Sequence, residues 1–113
     1  MSMAKRFIDK DHLKRITKLP CLISRAGFYS CNKPVQAHHL LRPSTGPRMG
    51  VKSSDAETIP LCYHHHGLLH TKHGTEESFF KHYGLPKDYG IKEAKRLYEE
   101  TLWLREQDDD LPF

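Results

Sequence analysis

PLCYHHHGLLH, residues 60–70, sets four histidines and a cysteine within eleven residues. A helix running from about Cys62 to Lys72 brings His66 and His70 onto one face, one turn apart, because positions i and i+4 are neighbours on a helix surface. Two imidazoles presented side by side can bind one ion. One more ligand from a facing strand completes a three-histidine site that keeps open coordination positions. A catalytic ion needs those positions for a phosphate oxygen and a leaving oxygen. His64 falls on a different face and reads as a surface neighbour.

Upstream, VQAHHLL at 35–41 predicts a short strand that sends the adjacent His38 and His39 to opposite sides. The pair is then poorly placed to share an ion, and a division of labour fits better: one faces the metal, the other faces water. Phosphodiester hydrolysis needs a deprotonated water aimed at phosphorus, and a neutral imidazole with an ordinary pKa of about 6.5 suits that task. Thr58 and Ile59 predict a second short strand. Between the strands, residues 42–54 carry two Pro and two Gly and read as a long loop with basic positions Arg42, Arg48 and Lys52.

These runs follow one another as AHH at 37–39, RMGVKSSD at 48–55 and PLCYHHHGLLH at 60–70. Together they resemble the HNH, or His-Me finger (ββα-metal), endonuclease superfamily. The likeness is closest to small phage and prophage HNH proteins with AHH, then GMGxKxSD, then PLCxxHHxxLH, and it spans about residues 19–80. It implies an α+β fold, a small ββα-metal core with flanking N- and C-terminal helices, in a single domain over residues 1–113. It implies that His38 binds the metal and His39 is the general base, with His66 and His70 as further ligands, as in the DNase colicins. One catalytic divalent ion follows, magnesium, manganese, nickel or zinc, and three neutral imidazoles favour a transition metal over magnesium. The middle Asn of the family name has no counterpart here; Asp55, Glu57 and Thr58 all lie near its place.

Three cysteines stand beside nine histidines, and an odd count argues against a closed disulfide framework. Cys62 and His65 are spaced x2 at the start of the helix. Cys21 and Cys31 precede the hairpin, as does the paired-cysteine knuckle of zinc-stapled HNH proteins. The likeness therefore implies a closed Cys3His set suited to one structural zinc, which would contribute folding free energy to a domain with a small core.

Bulk properties agree. At 113 residues, with 37% hydrophobic residues and a mean hydropathy of −0.68, one domain with a modest core is expected. Glu106, Asp108, Asp109 and Asp110 hold four of the negative charges, so a net +4 for the chain leaves +8 on residues 1–105. A body this basic suits a polyanion, and the acidic end reads as a solvated segment. Arg42, Arg48 and Lys52 are the candidate nucleic-acid contacts, Lys52 foremost because it sits inside the shared GxK pattern; such contacts give affinity and salt dependence, not sequence choice. No run is long and apolar enough to span a membrane, and the first residues lack a secretory leader, so a cytoplasmic protein is expected.

Elsewhere, residues 9–18 predict a helix with Asp9 as N-cap, and residues 21–34 read as a loop. Thr75 caps a helix containing Phe79, Phe80 and Tyr83, and a last helix spans about 91–107. Phe79, Phe80, Tyr83, Tyr98 and Trp103 read as core, and His12, His73 and His82 as solvated. The function expected is a metal-dependent DNA endonuclease, in phage recombination or DNA processing, acting on duplex or branched DNA with RNA also compatible. The competing reading is a zinc-stabilised nucleic-acid-binding module without catalysis.

Overall fold

A computed structural model of the chain describes residues 7–28, 31–41 and 54–107. Arg42, Arg48 and Lys52 lie outside the described residues, as does the acidic run 108–110. The chain is a small α+β protein: helices α1 (Lys10–Thr17) and α2 (Leu22–Arg25), an antiparallel pair β1 (Val35–His39) and β2 (Thr58–Cys62), then α3 (Tyr63–Leu68), α4 (Glu76–His82) and α5 (Tyr89–Gln107). None of the described helices is long and apolar enough to cross a membrane.

Local chemistry accounts for most boundaries. Asp9 caps α1 by accepting from His12 N at 3.1 Å, and Asp11 in the first turn and Arg15 in the last complement the helix dipole. The α2 turn was expected to be loop. It forms because Leu22 and Ile23, both 0% exposed, are drawn into the core ahead of the Gly27 break. In the hairpin, Val35 pairs with Cys62 and His39 with Thr58. Bonds from Tyr63 N to Pro34 O and from Leu40 N to Glu57 O bracket the ladder. They make Ala37–Pro60 a non-hydrogen-bonded pair, so the N–H that Pro60 lacks would have pointed away from β1.

The core gathers Leu22, Ile23, Leu40, Ile59, Leu61, Leu69, Phe79 and Phe80 between the hairpin and the helices. Both phenylalanines are core as expected, and Tyr83 packs against them. Trp103 is not: it is 56% exposed, because α5 turns Gly90, Ala94, Leu97 and Thr101 inward at helical spacing and leaves Leu102 and Trp103 outside. His12 is a second correction. It is 0% exposed, with Nδ1 2.7 Å from Thr101 Oγ1 on α5 and its ring edge-on to Tyr98. Arg15 on the next turn donates to Leu97 O and Thr101 Oγ1 and pairs with Glu100, so two polar side chains fasten α1 to α5.

After α3 the helix widens into a π-type turn over Leu69–His73, closed by Gly74 N donating to Leu69 O. Gly74 has φ +76°, a left-handed conformation natural to glycine. It turns the chain straight into α4, capped by the Thr75 hydroxyl accepting from Ser78 N.

Candidate metal centre

His38 faces inward from β1, and His66 and His70 meet it from α3 and the turn that continues it. His38 Nδ1 lies 3.0 Å from His66 Nε2, and His66 Nε2 lies 3.1 Å from His70 Nε2. All three atoms fall within 4.8 Å of one another. Three imidazole nitrogens tetrahedrally bound to one ion stand about 3.3 Å apart, taking metal–nitrogen bonds of about 2.0–2.1 Å.

The outer hydrogen bonds decide what faces the centre. His38 Nε2 is 2.8 Å from Glu76 Oε2, and His66 Nδ1 is 2.6 Å from Gln36 Oε1. Both acceptors are oxygens, so the ring protons are assigned to those outer nitrogens. Two lone pairs, on His38 Nδ1 and His66 Nε2, then face each other at 3.0 Å with no proton between them. That is an unfavourable contact until a cation is shared, so the donor set fits a divalent ion. Burial, then the neighbouring His38 and His70, lowers the pKa of His66 to about 4. Burial, then His38, lowers that of His70. Both rings are neutral near pH 7, as ligands must be.

Glu76 is the residue that sequence reasoning missed. It is 5% exposed, and its Oε2 accepts from Leu41 N at 2.8 Å as well as from His38. A buried carboxylate behind a histidine fixes the ring's tautomer and orientation. Its position at the first turn of α4 depends on the Gly74 turn, and no spacing rule ties residue 76 to residue 38.

His39 points to the other side of β1. Its Nε2 lies 2.8 Å from Asp55 Oδ1, and the side chains are 19% and 2% exposed. Asp55 thus orients this ring, and Thr58 supports Asp55 by donating its hydroxyl to Asp55 O. Asp55 Oδ2 in turn accepts from Asp9 N at 2.8 Å, and the Asp9 carboxylate receives Arg105 at 2.8 and 2.7 Å. The Arg105 hydrogen bonds, outweighing partial burial, lower the Asp9 pKa. The line from His39 therefore runs to both flanking helices.

The cysteines form a second cluster. Cys21 precedes α2, Cys31 precedes β1, and Cys62 ends β2 and caps α3. Their sulfurs lie 3.7, 3.5 and 3.1 Å from His65 Nδ1. A tetrahedral zinc with Zn–S of about 2.3 Å and Zn–N of about 2.05 Å sets sulfur and nitrogen about 3.6 Å apart. The four residues are compatible with a zinc site, and none of the three cysteines is in a disulfide. Burial opposes ionisation of Cys62, but backbone N–H groups of His65 and Asn32 outweigh it and lower its pKa. Cys31 is pushed up, first by loss of solvation at its sulfur and then by Cys62 and Cys21, although the residue as a whole is exposed. Thiols this close cannot all ionise unless a cation balances them.

His65 and His66, adjacent on α3, thus serve different clusters. His82 is exposed as expected, while His73 is half-buried beside Ser78. Comparison with protein-family models, curated proteins and solved structures finds no match to this chain.

Proposed function

We propose that the chain is a metal-dependent DNA endonuclease of the HNH type, with β1, β2 and α3 as a ββα-metal core. The observation that carries this reading is the convergence of His38 Nδ1, His66 Nε2 and His70 Nε2, with the adjacent His39 held by a buried carboxylate. A divalent ion bound there supplies Lewis-acid stabilisation to a phosphate oxygen and to the departing 3′ oxygen. Three imidazoles favour manganese, nickel or zinc over magnesium. His39 is the general base. With its Nε2 proton donated to Asp55, Nδ1 carries the lone pair that takes a proton from water. The water oxygen bonds to phosphorus as the bond to the 3′ oxygen breaks. Asp55 then steadies the imidazolium, as a buried acceptor behind a catalytic histidine does.

Glu76 and Gln36 keep His38 and His66 in the tautomers that bind an ion. The Cys3His set holds zinc and fixes α3 against the segments before β1. Arg42, Arg48 and Lys52 are the candidate contacts to phosphates of duplex or branched DNA; RNA offers the same phosphate chemistry.

Purified protein incubated with supercoiled plasmid and a branched substrate, with manganese, nickel, magnesium or zinc, tests the reading. Cutting is expected, and His39→Ala abolishes it while metal content, folding and DNA binding stay nearly intact. Elemental analysis should find one tightly bound zinc and one exchangeable ion. Plasmid left whole with every ion would make the chain a zinc-stabilised binding module instead.

A further inference from the structure

Beside the histidine cluster, on the outer face of α3, lies a groove of about 410 Å³ lined by Asn32, Gln36, Tyr63, His66, Gly67 and His70. It is continuous with the candidate centre, because His66 and His70 belong to both. Two features of its wall are unexplained by the fold. Glycine inside a helix is destabilising relative to alanine. Yet Gly67, within α3, has no left-handed backbone, and a Cβ built on it meets nothing within 4 Å. Nothing intramolecular needs the side chain to be missing, and the space it leaves belongs to the groove. Tyr63, one turn earlier, is 63% exposed, the highest figure among the exposed large apolar side chains of the described residues.

We propose that this groove is a nucleoside subsite, which rests on the nuclease reading above. The base next to the scissile phosphate stacks on Tyr63, its sugar passes over Gly67, and its phosphate reaches the histidine cluster. A nucleobase has the flat face that an exposed tyrosine ring accepts, and stacking of this kind tolerates any sequence. The glycine permits a close approach of the sugar to the helix backbone. The formal +8 on residues 1–105 supports a polyanionic strand over a neutral small molecule or an apolar peptide.

The test uses the full chain carrying His39→Ala, so that substrate is not cut. Tyr63→Ala, Tyr63→Phe and Gly67→Leu are added singly. Binding of a fluorescein-labelled single-stranded DNA of roughly 12 nucleotides is read by anisotropy, with metal content and melting temperature measured for each variant. Tyr63→Ala is expected to weaken binding roughly tenfold, as loss of one base–aromatic stack does. Gly67→Leu, whose Cβ meets nothing within 4 Å and whose longer side chain projects into the groove, weakens it at least as much without lowering the melting temperature. Tyr63→Phe keeps the ring and stays within about twofold of its parent. Metal content is unchanged in all three. If the parent binds DNA and both Tyr63→Ala and Gly67→Leu bind equally well, the subsite is refuted and the nuclease reading stands. If the chain with His39 intact cuts plasmid yet the parent does not bind the single strand, the subsite is refuted and the nuclease reading stands; if that chain cuts neither plasmid nor branched DNA, the reading fails and the subsite falls with it.

Discussion

His12 makes the stability of this protein depend on acidity in a way that can be calculated. The ring is 0% exposed, Nδ1 meets Thr101, and Nε2 has no hydrogen-bond partner among the described residues. Burial, opposed by Asp9 and reinforced by Arg15, lowers its pKa to about 4 from an ordinary 6.5. Between those values the unfolded chain binds the proton and the folded chain does not. The contribution is therefore fully present above pH 6.5 and is lost as pH falls toward 4. Complete titration corresponds to about 3 kcal/mol, of which about 2 kcal/mol is lost by pH 5. Phenylalanine keeps the edge-on contact with Tyr98, and Thr101 keeps its bond from Arg15. His12→Phe should thus flatten the profile. Urea unfolding of both proteins at a series of pH values checks this, and subtracting the curves cancels the titration of groups they share. The parent should lose about 2 kcal/mol more than His12→Phe between pH 7.5 and 5. Parallel curves would refute the claim that burial keeps this ring neutral.

Other expectations concern the two clusters and the turn between them. Glu76→Gln removes the charge behind His38 and should weaken binding of manganese or nickel roughly 10- to 100-fold by calorimetry, with the fold retained. Cys62→Ser replaces a sulfur by a hydroxyl that still caps α3; it should release zinc, seen by elemental analysis, and lower the melting temperature as chelation of the parent should. Gly74→Ala forces a side chain into φ +76° and should cost about 1 kcal/mol in chemical denaturation.

What could be read from the sequence follows from the range of the forces involved. The two histidine runs were legible because strand and helix periods alone fix which way neighbours point: His38 and His39 diverge, and His66 and His70 coincide. Cys62 and His65 were legible for the same reason. Glu76 was not, since 38 residues separate it from His38 and a glycine turn delivers it. Asp55 stood among three candidates, and its place beside His39 depends on the closed hairpin. His12 was misread because its burial depends on Thr101, 89 residues away. Trp103 was misread because an apolar residue on a long helix is inward only if its face is, and Ala94, Leu97 and Thr101 set that face.

Adjacent residues on a helix are rotated by about 100°, and α3 spends that rotation on sending His65 to the sulfurs and His66 to the imidazoles. Length is therefore guarded more strictly here than composition. Thr71 and Lys72, both exposed, can be exchanged for other helix formers. Deleting a single residue between Cys62 and His65 would instead carry His66 into the place of His65 but bring Gly67 and Thr71 to the places of His66 and His70, so that one deletion spares the sulfur cluster and strips the imidazole one.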